Sequence, residues 1–199
     1  MGEDCQVTSA SSRLAAGAVV GAIAAVPATP LHRRIQSADR RALSWVVDHR
    51  GQGWRTPARR LTALAKPVVV LPVVAVSAAC AGCRGVPATR IAHVLGVAGA
   101  GIAARRALAD TVQRSRPPSD WWWQQPSGYS YPSKHVTWAV LGYGAAADLI
   151  GDGGLPARGL AIAVSTVVAG TRLVLAEHWP SDVLAAIALA VALRRLLGR

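Results

Sequence analysis

The chain has 199 residues, enough for one domain, 52% of them hydrophobic, with a mean hydropathy of +0.30 and a formal net charge of +12. Its cations are spread through apolar stretches and no nucleic-acid module is visible, so a nucleic-acid partner is set aside in favour of a membrane with anionic lipids. Twenty of the 22 basic residues are Arg, while Ala, Gly and Val abound and Phe is absent, which is the composition of a GC-rich genome such as an actinobacterium's.

Residues 1–12 are polar and are expected to be disordered, leaving 13–199 as a single membrane-embedded domain. Acidic Glu3 and Asp4 before the first apolar stretch argue against a cleavable signal peptide. Leu14–Val26, closed by Pro27 and Pro30, reads as a first membrane helix. Leu31–Lys66 then changes character, with nine Lys/Arg interspersed with apolar residues, and is expected to lie as an amphipathic segment at the membrane surface. Within it, Ala42–Val47 reads as a helix that ends at Gly51.

Val68–Ala81 is the next apolar run, with Leu61–Lys66 as an extension, and Ile91–Ala104 follows, closed by Arg105 and Arg106. His93 is expected to be a polar residue inside the bundle. Cys80 and Cys83 have metal or redox spacing, but no second pair completes a zinc site, and they are read as small residues at a helix end. The loop Asp110–Tyr131 carries Trp121-Trp122-Trp123, Tyr129 and Tyr131, residue types that favour the membrane–water interface or pack over a loop.

Val136–Ile150 and Leu160–Ala176 are two further runs, and a last one restarts at Trp179-Pro180 and reaches Leu193. The expected fold is therefore all-α, a helical-bundle integral membrane protein with up to six transmembrane helices, multi-pass in the cell membrane. A membrane helix needs about 20 residues. Most of these runs are shorter, so a soluble helical bundle is the alternative.

Three pieces of the second half carry chemistry: Arg116-Pro117, Pro132-Ser133-Lys134-His135, and Thr171-Arg172 followed by His178 and Asp182. Guanidinium forks match phosphate oxygens in bidentate fashion. Pro132-Ser133 before an apolar run marks a helix start, whose free N–H groups favour an anion. His178 and Asp182 stand four apart, one face of a helix, so the carboxylate can orient the imidazole and stabilise its cation. His178 is then a nucleophile that gives a phosphohistidine, and His135 the general acid and base. With arginines neutralising the phosphoryl oxygens, no metal and no other cofactor is needed.

These residues resemble the type-2 phosphatidic acid phosphatase superfamily. Its pattern is a Lys, six residues and Arg-Pro; then Pro-Ser-Gly-His; then Ser-Arg, five residues, His, three residues and Asp. The resemblance covers roughly the C-terminal half and implies His178 as nucleophile, Asp182 as its partner, His135 as acid and base, and Arg116, Ser133 and Arg172 as phosphate ligands. Three positions depart from the pattern: Ala109 for the lysine, Lys134 for the glycine and Thr171 for the serine. Lys134 is expected to supply the missing cation and to join the phosphate ligands, with Arg105, Arg106 and Arg114 as other candidates.

The expected activity is metal-independent hydrolysis of a phosphate monoester or diphosphate on a membrane lipid or polyprenyl carrier. Phosphatidic acid, phosphatidylglycerophosphate, undecaprenyl diphosphate and a decaprenyl-phosphoryl phosphoribose all fit, the last being a cell-wall precursor that suits the composition. The alternatives are a non-hydrolytic lipid-phosphate binder or transporter, for which Ala109 speaks, and a soluble acid phosphatase or vanadium haloperoxidase. With six spans, 15 of the 22 basic residues fall on the side of the site, which favours a cytoplasmic face by the positive-inside bias.

Overall fold

A computed structural model describes residues 31–151 and 154–197, together with Ala18 and Gly21. Residues 1–12 and, apart from those two positions, the first apolar run lie outside the described residues. Seven α-helices follow: α1 Leu31–His49, α2 Arg55–Thr62, α3 Pro67–Cys83, α4 Ala88–Val112, α5 Lys134–Ile150, α6 Leu155–Val174 and α7 Pro180–Leu197. Single 3₁₀ turns flank α2, and no strand occurs among the described residues.

Helix α1 is longer than the expected Ala42–Val47 and is amphipathic along its length. Ile35, Asp39, Leu43 and Val47 recur at four-residue spacing on the covered face, while Arg33, Arg34, Arg40 and Arg41 are exposed. Its covered face packs on α6 and α7, so the segment docks on the bundle as well as offering arginines outward.

Helix α4 runs through Arg105 and Arg106, where the apolar run was expected to close. The charges are accommodated locally. Arg106 faces Asp110 one turn on at 3.8 Å, and Arg105 reaches across to the carbonyl of Pro132 at 2.9 Å. The helix stops only at Gln113, which takes a left-handed conformation with φ of 48°. Helix α6 starts five residues before Leu160 because Pro156 fits its first turn. His93 is exposed rather than interior, and Cys80 and Cys83 are free thiols at the end of α3.

Helix α5 is the hub, packed against α3, α4, α6 and α7. Its glycine at 142 makes this possible, since a Cβ there would lie 2.1 Å from Cγ1 of Val70 on α3. Two described helices, α4 and α6, are long and apolar enough to cross a membrane. A third span is formed if the pair Gln52–Ala65 and Pro67–Cys83, bent by 46°, counts as one. The six-span expectation also counted α5 and α7. These two are shorter, at 17 and 18 residues, and more of each is covered by the rest of the bundle. Because the four helices α4–α7 alternate in direction, one end of the bundle gathers the C-termini of α4 and α6 and the N-termini of α5 and α7.

Candidate active site

That end holds the three motif pieces. Pro180 opens α7, so His178 sits just before the helix and not on it. The expected pairing of His178 with Asp182 is therefore made by the turn into α7 and not by a shared helical face. His178 is buried, and its Nδ1 lies 2.8 Å from the carbonyl oxygen of Ser130. A carbonyl only accepts, so Nδ1 carries the proton and Nε2 the lone pair. Asp182 Oδ2 stands further off, 3.6 Å from Nδ1.

Asp182 is fully buried and organises the turn. Its Oδ1 accepts from Nη1 of Arg114 at 2.6 Å, and its Oδ2 accepts from the backbone N–H of Trp179 at 2.9 Å and from the hydroxyl of Ser130. Ser130 thus ties the two sides together. Its carbonyl orients the imidazole, while its hydroxyl holds the carboxylate.

Arg172, also fully buried, comes from the last turn of α6. Its Nη1 donates to Oγ1 of Thr62 at 2.6 Å and its Nη2 to the carboxylate of Glu177. Its Nε has no partner, and neither has the hydroxyl of Ser133, which is buried at the N-cap of α5 without capping it. Buried donors of this kind are costly to leave unmade. One oxygen of Glu177 is orphaned in the same way.

Arg116 brings its Nη1 to 3.4 Å from Nε2 of His178. Its remaining donors go to backbone carbonyls: Gly128 at 2.8 Å, Ser127 at 2.8 Å, Tyr129 at 3.1 Å and Glu177 at 2.6 Å. It therefore clamps the loop as well as facing the imidazole. His135, in the first turn of α5, is half-buried and close enough to Arg172, His178, Lys134 and Arg116 to feel the charge of each. Lys134 itself is exposed at the start of the helix. Of the other basic residues considered for the position of Ala109, Arg106 is on the surface with Asp110, and Arg114 is engaged by Asp39, Ser181 and Asp182. Arg105 holds the Pro132 carbonyl one turn before buried Ala109, and its charge is felt by Arg116.

Burial decides the protonation of the groups that precede α7. It pushes His178 down to about 4, with the charges of Arg172 and Arg116 adding to the effect and the nearby Asp182 opposing it. Burial also lowers Arg116 to about 10 and raises Glu177 against the opposing charge of Arg172. At neutral pH the site then presents a neutral imidazole with its Nε2 lone pair beside cationic guanidinium groups.

Sequence reasoning missed Ser130, Glu177, Thr62, Arg50 and Asp39. Asp39 is buried on α1, accepts from Nη2 of Arg114 at 2.7 Å and from the backbone N–H and hydroxyl of Ser181, and so fastens α1 to the start of α7. Arg50 donates to the carbonyls of Val174 and Trp121 and lies 4.0 Å over the ring of Trp123. The three tryptophans are half-buried and packed into this framework rather than standing free. An acid spaced four before Leu43 on an apolar face was the one local sign of Asp39; the others carry no motif.

A family model described as the PAP2 superfamily matches residues 87–197. No curated protein matches the chain. Among solved structures, the fold is similar to the crystal structure of a transmembrane PAP2-type phosphatidylglycerolphosphate phosphatase from Bacillus subtilis. The TM-score is 0.79 at 22% sequence identity, over 94% of this chain and 94% of that one.

Proposed function

We propose that this chain, which belongs to the PAP2 superfamily, removes a phosphate from a membrane lipid or polyprenyl carrier through a phosphohistidine on His178. Family membership supports the phosphatase, and the likeness of fold to a transmembrane protein supports the setting. The observation that carries the chemistry is the pair of orphaned, buried donors, Ser133 Oγ and Arg172 Nε, at the end of the bundle where His178 and His135 meet. Two unmet donors and a helix N-terminus form a socket for phosphoryl oxygens.

In the first step Nε2 of His178 bonds to phosphorus as the bond from phosphorus to the lipid oxygen breaks. His135 passes its proton to that oxygen. Burial and the surrounding cations push His135 down to about 2, so it is neutral before substrate binds; the proton it passes on enters with the phosphate, whose negative charge holds it on the ring. Asp182, near the imidazole, stabilises the cationic phosphohistidine, and the Ser130 carbonyl keeps Nδ1–H in place. In the second step His135 takes a proton from water, the water oxygen bonds to phosphorus, and the bond from phosphorus to His178 breaks to release inorganic phosphate.

The test is phosphate release by purified protein from a panel of lipid and prenyl mono- and diphosphates, in EDTA. Release that survives chelation, is blocked by vanadate and disappears in His178→Ala is the expected result. A strict requirement for a divalent metal would overturn the mechanism. Tight lipid-phosphate binding with no release would favour the non-hydrolytic binder suggested by Ala109.

A further inference from the structure

A cavity of about 840 Å³ lies at the end of the bundle opposite His178. It is enclosed by the N-terminal halves of α4 and α6 and the C-terminal halves of α5 and α7, whose other halves carry the site described above. Its inner wall is apolar and buried at Val97 and Leu141, and its outer wall is apolar and exposed at Ile162 and Val191. The cavity is thus open sideways, toward what would be the hydrocarbon of a bilayer.

Its polar lining is lopsided. Arg90, Arg158, Arg194 and Arg195 face a single acid, Asp148. Arg194 is committed to that acid at 2.7 Å and passes over α5 at Gly144, where any Cβ would fall 1.3 Å from its Nη1. Two helix N-termini and two C-termini meet at this end, so the helix dipoles offset one another, and the excess positive charge is that of the arginines. All four lie near helix ends, at headgroup level for a span of this length. From Arg90 to Val97 the helix rises about 10 Å, a large part of the roughly 15 Å hydrocarbon depth of one leaflet.

We propose that this cavity binds one anionic phospholipid, with its phosphate on the arginine rim, chiefly at Arg158 and Arg195, and one acyl chain along the wall from Val97 to Val191. Charge complementarity selects the headgroup, since guanidinium groups pair with phosphate oxygens. An apolar cavity open to lipid is filled by a chain that makes the dispersion contacts its lining would otherwise lack. The ligand is structural here, separate from the substrate, and its retention does not depend on turnover at His178.

Native mass spectrometry of the full chain in mild detergent, with added phosphatidylglycerol or phosphatidylcholine, tests this. One phosphatidylglycerol per chain is expected to be retained in preference to phosphatidylcholine. The variant Arg158→Gln/Arg195→Gln should weaken retention of the anionic lipid roughly tenfold or more. Val97→Trp, which fills the inner wall, should abolish retention of the bound lipid while leaving phosphate release in detergent unchanged. The His178→Ala protein should retain lipid as the unaltered protein does, which separates this result from failure of the phosphatase reading. Equal retention of both lipids, retention undisturbed by either variant, or a second copy of the chain occupying this face would each overturn the proposal.

Discussion

The carbonyl of Ser130 accepts a hydrogen bond from Nδ1 of His178, and the consequence is a defined tautomer with the lone pair on Nε2, as the proposed nucleophile requires. Because burial lowers this imidazole to about 4 from an ordinary 6.5, it is neutral throughout the physiological range. Nitrogen-15 spectra of histidine-labelled protein should show one Nδ1–H imidazole that resists protonation until about pH 4; titration near 6.5 would mean the ring is open to water. The unfolded chain takes up a proton between about 6.5 and 4 that the folded chain refuses, so folding weakens as pH falls through that window. For the lysine missing at Ala109, we propose Arg105 in place of Lys134. Arg105 reaches Pro132 and senses Arg116, whereas Lys134 is exposed. Arg105→Gln should lower kcat/KM by about a hundredfold, as loss of a transition-state donor does. Lys134→Gly should stay within about threefold, since the backbone N–H at that position survives. The reverse ranking would return the role to Lys134.

Between Arg172 and His178 the chain must leave α6, turn, and enter α7 within a few residues. It does so by a Schellman closure: the N–H of Glu177 bonds to the carbonyl of Arg172 at 3.2 Å and the N–H of Ala176 to that of Leu173 at 2.9 Å. The left-handed position of this motif usually belongs to glycine, yet here it is buried Ala176, with φ of 54°. An alanine there costs about 1 kcal/mol, and the closure is what sets the spacing of Arg172 from His178. Ala176→Gly should therefore raise the melting temperature of the protein in detergent by a few degrees, while the wider backbone freedom of glycine lowers kcat. Unchanged stability would mean that the strain is absorbed elsewhere. The x₅ gap of the motif was visible in the sequence, but the strained turn that fills it was not, because alanine is not a turn signal.

Across the whole molecule, what was legible in the sequence is what is local. Apolar runs marked the helix bodies, and Pro156 and Pro180 fit the first turns that they punctuate. Three short strings marked the end of the bundle where the chemistry gathers. What was not legible are side chains whose partners are remote: Thr62 meets Arg172 across 110 positions, Ser130 meets Asp182 across 52, and Asp39 meets Ser181 across 142. Apart from Asp39, an acid on the apolar face of its helix, nothing within reach of a local pattern distinguishes these residues from their neighbours. Asp39 shows what this implies for the amphipathic segment, which sequence alone places at the membrane surface. Its carboxylate holds Arg114, and Arg114 in turn holds Asp182, so α1 is coupled to His178 through two buried ion pairs. Removing Asp39 leaves an arginine that is nine-tenths buried with one acid in place of two. Asp39→Ala should therefore cost about 2 kcal/mol of stability. It should also lower kcat about tenfold with little change in KM, because Asp182 shifts against the imidazole while the phosphate donors stay in place. Circular dichroism should show the helices intact. If stability falls and kcat does not, α1 merely covers the bundle; if kcat falls with it, the basic segment is part of the apparatus that positions His178.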